Sequence, residues 1–276
     1  MKSTVTIYVP EGEDPFGTFV TRKPREKVNR FAEYLRAIAG SGILGRAQSR
    51  PSIVAGTAHA VGTVTLAAVL AADTVTINGV AFTAVAGVAG ANQFSIDGTD
   101  IVDASGLVTS INASVTALVS GFVRADNRSA TVTLAGVTAG QTVTIGGVTF
   151  TAITGTSTSL VQFDVSGDDT ADAAALVAKA NAHPYLREQL VALSALGVVT
   201  LRQLPFGPPR TLGLSKSGAG ITVSGATLAA SAGVLLAAVA KGQEGNQATL
   251  ASSNGTRLAV SVGGRFSGGV TTTMTF

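Results

Sequence analysis

The passage TVTINGVAFTA at residues 74–84 is written a second time as TVTIGGVTFTA at residues 142–152. Two such passages in one chain confine the fold to architectures that use one supersecondary unit at least twice. The copying extends outward in both directions. TVTL at residues 63–66 returns at 131–134 with the same 68-residue offset. Gln93-Phe94 returns as Gln162-Phe163, and Asp103-Ala104, Leu107 and Asn112-Ala113 return as Asp172-Ala173, Leu176 and Asn181-Ala182, now offset by 69.

Both copies parse alike. The alternation in TVTL and TVTI puts the valines and the closing Leu or Ile on one face, which is the period of a half-buried strand. Asn78-Gly79 and Gly146-Gly147 supply the two φ > 0 positions that a type I′ hairpin needs. Past Gln-Phe the period lengthens: Asp100, Asp103, Leu107 and Ile111, and again Asp169, Asp172, Leu176 and Ala180, keep helical spacing. The carboxylates at these helix starts, together with Asp97 and Asp168, are read as caps and dipole partners rather than as a cation site or carboxylate pair. A strand should follow each helix and a hairpin should return from it. In the second copy residues 190–193 run out, 194–197 turn, and 198–201 return. In the first copy residues 121–125 run out and Asp126-Asn127-Arg128 begins a turn, but the second copy starts before any strand returns.

The missing strand has a candidate at residues 233–250, which parallel 197–212 and follow the closing ITVSGATL of the second copy at 221–228. A plain tandem would leave an orphan half-module with an open sheet edge, whereas a hairpin tip tolerates insertion. The expected class is therefore α+β and β-rich. It comprises two homologous β-sandwich-like modules, each with one short helix, the second inserted in a hairpin of the first, plus an N-terminal helical arm. The expected boundaries are 1–60 for the arm, 61–127 with 231–276 for the first module, and 128–230 for the inserted one.

Residues 1–60 differ in kind. The first fifty carry nine Lys or Arg against five Asp or Glu, although the whole chain nets only +3. Val28, Phe31, Leu35 and Ile38 fall at 3-4-3 spacing, so residues 25–39 are predicted to form an amphipathic helix, followed by a Gly- and Arg-rich linker to Pro51. The predicted partner-binding residues are Arg25, Lys27, Val28, Phe31, Leu35 and Ile38. Glu26 and Glu33 interrupt the basic residues, which favours docking on an acidic protein surface over phosphate contacts; nucleic acid is not an expected partner.

Chemistry is scarce elsewhere. There is no Cys, and His59 and His183 are the only histidines, so thiolate sites, disulfides and zinc motifs are excluded. GLSKSGAG at residues 213–220 lacks the spacing of a phosphate loop and is read as a turn. His183-Pro184-Tyr185 is read as a surface elbow, and no GxSxG accompanies the many serines. No catalytic residue, cofactor or metal is expected, and the protein is not expected to be an enzyme. No apolar run reaches membrane-spanning length and the N-terminus lacks a signal-peptide core; no membrane partner is expected.

The order TVTINGVxFTA, Gln-Phe with a following Asp, a D-x-A-x-x-L helix ending in Ile-Asn-Ala, then KGQEGNQATLASS at residues 241–253 and Gly268-Gly269, resembles a module of tailed-bacteriophage virion structural proteins. The second copy matches at residues 142–152 and 162–182 and departs at Gly207-Pro208-Pro209-Arg210, and the basic segment 25–40 also looks like the N-terminal part of such proteins. The resemblance implies a non-enzymatic virion protein, assembled in host cytoplasm, homo-oligomeric in the particle and bound to the major capsid protein or other virion proteins. A capsid decoration or cement protein anchored by the arm is the leading expectation, with a tail tube or sheath-associated protein as the alternative. A carbohydrate-binding adhesin is a remoter one, because the chain has no Trp and only three Tyr.

Overall fold

A computed structural model of the chain describes residues 52–56, 58–206, 211–261, 266–268 and 271–275. Strands β1 (Ser52–Gly56) and β2 (His59–Leu66) precede the hairpin β3 (Thr74–Ile77) and β4 (Val80–Val85), then β5 (Gln93–Ser95), helix α1 (Asp100–Ala113) and the one-turn helix α2 (Ala117–Ser120). The 12-residue strand β6 (Val123–Leu134) leads into β7 (Thr142–Ile145), β8 (Val148–Ile153), β9 (Gln162–Asp164) and helix α3 (Asp169–Ala182). After a 3₁₀ turn at Leu186–Glu188 come β10 (Leu190–Ala195), β11 (Val198–Gln203), β12 (Leu214–Ser217) and β13 (Ile221–Val223). Strand β14 (Ala229–Lys241), a 3₁₀ segment Gln243–Gln247, β15 (Leu250–Ser252), β16 (Leu258–Val260) and β17 (Thr271–Thr275) complete the order. The class is α+β and β-rich.

The chain divides into two compact units. One runs from Ala55 to Thr271; residues 52–54 and 272–275 belong to the other, and β1 pairs with β17. The expected arm helix at 25–39 lies outside the described residues.

Within the larger unit one sheet runs β10-β11-β6-β14-β2-β16, with β13 also paired to β6. Two four-stranded sheets, β15-β3-β4-β5 and β12-β7-β8-β9, stand apart from it. The turns that organise the small sheets have the predicted geometry: Asn78 and Gly79 sit at φ 49° and 82°, Gly146 and Gly147 at 56° and 86°. These are the left-handed positions of a type I′ turn, open to Gly and Asn at little cost. A feature absent from the sequence expectation is that β5 and β9 lie parallel to β4 and β8, so the chain crosses over rather than forming another hairpin.

Period-two burial builds two cores. The first gathers Val64 and Leu66 of β2, Val75 and Ile77 of β3, Phe82 and Phe94, Leu107 and Ile111 of α1, Val123 and Ala125 of β6, and Val234 and Leu236 of β14. The second gathers Val132 and Leu134 of β6, Val143 and Ile145, Phe150 and Phe163, Leu176 of α3, and Val199 and Leu201 of β11. Strand β6 thus feeds both cores, its first half one and its second half the other.

The registers match pair by pair. Leu66 faces Leu258 as Leu134 faces Ile221. Ile77 faces Leu250 as Ile145 faces Leu214. Val64 faces Val234 as Val132 faces Val199, and Ala125 faces Leu236 as Ala192 faces Leu201. Residues 233–237 therefore pair with β2 and residues 235–238 with the start of β6, not with β11, while Leu250 pairs with β3. The parallel drawn from sequence needs correcting by one residue: Val234 is the counterpart of Val199, not Val198. Such a slip would exchange the two faces of β14, and its outward Leu235 and Ala237 are buried with Leu204 in a third, small cluster.

Residues 213–220, read from sequence as a turn, instead hold strand β12 paired to β7. The hairpin after α3 is tighter than expected: β10 runs through Ala195, leaving only Leu196 and Gly197 to turn.

Phe82 and Phe150 occupy equivalent, fully buried positions. Truncation of either to Ala is expected to cost about 3–5 kcal/mol. Because β6 serves both cores, each variant should shift one cooperative urea transition, monitored by far-UV circular dichroism, rather than splitting it in two.

Candidate interaction surfaces

The acidic residues at the helix starts act as ties between backbone segments. Only Asp168 is a cap in the strict sense, its Oδ1 accepting the Ala171 N–H at 2.8 Å; Thr99, its counterpart, caps nothing with its side chain. Asp100 and Asp169 reach away from their helices: Asp100 Oδ1 accepts the Ala68 N–H at 2.9 Å and Asp169 Oδ1 accepts the Gly136 N–H at 2.8 Å. Both ties hold the loop that follows a large-sheet strand, where Ala68 and Gly136 adopt φ of 50° and 63°. Asp97 Oδ2 accepts the Gly87 N–H at 2.7 Å, and in the second copy Asp164 and Ser166 together hold Gly155. The hydroxyl and backbone of Ser166 keep the Asp164 carboxyl below its ordinary range.

Asp103 and Asp172 correct the sequence reading further, because both are buried. Desolvation pushes both carboxyls upward, opposed by the N–H of Gly98 and of Gly167 respectively. Asp172 Oδ1 has no hydrogen-bond partner among the described residues. Among those residues no group of three His, Asp or Glu side chains is placed to hold a metal ion.

A half-buried ion pair closes the other end of the first core. Arg257 donates from Nε to Asp73 Oδ2 at 2.6 Å and from Nη2 to Asp73 Oδ1 at 2.7 Å. The Arg257 hydrogen bond is the largest cause holding the Asp73 carboxyl low. The second copy replaces the pair with a neutral amide: Gln141 Oε1 accepts the Gly220 N–H at 3.1 Å.

Both histidines pack against phenylalanine rings. His59 Nδ1–H donates to the Ala238 carbonyl at 2.7 Å and its ring stacks on Phe206 at 4.1 Å; burial is the chief cause lowering its pKa. His183 follows α3 and meets the Phe150 ring edge-on at 6.2 Å.

Two surface features stand out from this web. An apolar groove of about 360 Å³ opens beside the β3–β4 turn, walled by Asn78, Leu118, Phe122, Ala238, Ala240 and Ala248. Leu118 and Phe122 are 54% and 58% exposed there. Asn78 anchors its rim: Nδ2 donates to the Leu118 carbonyl and Oδ1 accepts the Thr249 N–H. The second feature is the β10–β11 turn, where Leu196 is 90% exposed at φ 49°. Neither was singled out from sequence. A Leu-Gly pair closing a hairpin where Asn-Gly is the norm was the available signal for the turn; the groove depends on long-range packing that no local pattern reveals. Arg25, Lys27, Val28, Phe31, Leu35 and Ile38, the expected partner-binding residues, lie outside the described residues.

Among the described residues no helix is long and apolar enough to cross a membrane. No protein-family model matches the chain, and no curated protein matches it.

The opposed shifts at the two kinds of Asp give opposite pH dependences. A raised carboxyl stabilises the fold fully below the ordinary Asp range, and that contribution is lost as pH rises through the raised value. Asp172→Asn should therefore raise Tm at pH 7 and change it little at pH 3. A lowered carboxyl does the reverse, so Asp73→Asn should lower Tm at pH 7, with the deficit shrinking as pH falls through the depressed value. Thermal melts of both variants from pH 3 to 7 check the signs.

Proposed function

We propose that the chain is a non-enzymatic structural protein of a tailed-phage virion, a capsid decoration protein attached through its N-terminal arm. We infer as well that it consists of two homologous β-sandwich-like modules, with residues 128–230 inserted in a hairpin formed by residues 61–127 and 231–276. The observation that carries the reading is the repetition of register and of backbone ties across the two cores. Asn112 donates to the Ala125 carbonyl and accepts its N–H at 2.9 and 3.0 Å, and Asn181 does the same to Ala192, both at 2.9 Å. In both copies these polar side chains are committed to holding strands and loops in place. A molecule built this way offers shape and surface, which suits a particle component.

The arm supports the mode of attachment. Four apolar residues at helical spacing are too few to form a core alone and gain their stability by packing on something. Burying four such side chains is worth on the order of 6–10 kcal/mol before ordering costs, whereas each exposed charge pair adds about 1 kcal/mol or less. Hydrophobic docking dominates, and the basic residues steer the approach.

A chain beginning at Ser52 is expected to fold but not to bind particles stripped of the native protein. Full-length protein with Phe31→Ser and Leu35→Ser should fail likewise, while high salt should weaken attachment without abolishing it. Co-sedimentation with stripped heads and with isolated tails reads all three outcomes and separates the decoration reading from a tail position. Undiminished binding by the truncated chain would place the anchor in the β-rich part.

A further inference from the structure

We propose that copies of this protein associate head to tail, the β10–β11 tip of one copy placing Leu196 in the apolar groove beside Leu118 and Phe122 of the next.

The second core shows what the groove lacks. At the turn equivalent to Asn78-Gly79, a Cβ added to Gly146 would lie 3.2 Å from the side chains of both Leu186 and Leu212. Those two leucines are buried, and they close the space beside the turn. In the first copy the registers place Ala248 where Leu212 stands; in the one-turn helix α2 it is Val119 that is buried as Leu186 is, while Leu118 beside it faces outward. Ala248 is too short to fill the space, Leu118 is left half exposed, and the groove is the result. Its chemistry and position call for one aliphatic side chain.

Leu196 answers that description. A bulky residue at positive φ is an uncommon, strained choice, and Asn or Gly would serve the turn better. Both its conformation and its exposure disfavour leucine in an isolated molecule, so its presence is accounted for by a contact outside the chain. Leu193, 45% exposed, extends the apolar tip along β10. Charge supports the same pairing. Asp169 flanks the tip, its Cβ 3.2 Å from a Cβ added to Gly197, and Asp168 stands next to it in sequence. Arg124, two residues past the groove-lining Phe122, donates from Nη1 to the Ser120 carbonyl at the end of α2. Among the described residues no ion pair engages any of these three charges. Tip and groove are different surfaces, so the contact is heterologous and propagates into a ring or an open chain.

The proposal rests on the matched registers and not on the virion reading, because it concerns the purified protein alone. Two substitutions that should improve the fold test it. Leu196→Asn gives the turn its preferred Asn-Gly pair and removes the knob. Ala248→Leu fills the groove from within, as Leu212 does in the second core. Sedimentation velocity of the full chain over a concentration series should show concentration-dependent association in the wild type. Each variant should weaken it about tenfold or more while Tm stays equal or rises. Mixing the two variants should restore dimers but nothing larger, since one partner keeps only a groove and the other only a tip. Wild-type protein that stays monomeric throughout, or variants that associate as the wild type does, would overturn the proposal and leave particle attachment unaffected. Oligomers beyond dimers in the mixture would overturn the head-to-tail geometry.

Discussion

Strand β6 gives Val123 and Ala125 to one core and Ala130, Val132 and Leu134 to the other, and the larger unit depends on that continuity. An ordinary pair of domains meets through a linker or a polar interface, and each half keeps its own sheet edges. Here the first half of β6 pairs with β14 and borders the first core, and its second half runs through the second, between β11 and β13. The strand itself passes from one core to the other without a break, so a disturbance in either reaches the other through covalent structure as well as packing. Between its two halves lies Asp126, whose buried carboxylate receives the Arg128 guanidinium. Beside it the register of β14 shifts between Ala230 and Leu235.

The copies kept their ties while changing the atoms that make them. Ser95 and Asp97 in one become Asp164 and Ser166 in the other, with the two side-chain types exchanged, yet the glycine N–H they hold is the same. An ion pair at Asp73 and Arg257 becomes an amide at Gln141. The Asn clamps did not change, because an amide alone offers a donor and an acceptor spaced to meet both the N–H and the C=O of one strand residue. Ala192 lies on the outermost strand of the large sheet, and Ala125 on a stretch of β6 that has β14 on one side only. The clamp thereby occupies edge groups that would otherwise be free to pair with another chain.

The strands and hairpins of each copy were legible in the sequence because alternation and the Asn-Gly or Gly-Gly turns are local codes. So were the helices, from Asp100 and Asp169 onward. The parallel placement of β5 and β9 was not, since three residues such as Gln-Phe-Ser carry no mark of the direction in which they pair. Strand β12 hid in a Gly- and Ser-rich stretch whose composition favours turns, and tertiary pairing with β7 overrode it. The carboxylates were misassigned for a similar reason: an Asp at a helix start is the same letter whether it caps the helix, ties a distant loop as Asp100 does, or is buried as Asp103 is. The groove was invisible because it arises from an alanine at position 248 meeting a turn some 170 residues earlier.

The pairing of β6 with β14 also sets a timetable. Ala125 leaves the ribosome more than a hundred residues before Leu236, its partner, which at about 5–20 residues per second is a wait of roughly 5–20 s. The second core, drawn from one continuous stretch, completes itself within that interval. The first cannot, so a nascent chain carries a finished half and an unfinished one, with Val123 and Ala125 lacking their partner strand on the β14 side. Any chaperone need of this protein is concentrated in that window, and synonymous codon changes between β6 and β14 would lengthen or shorten it without altering a single residue.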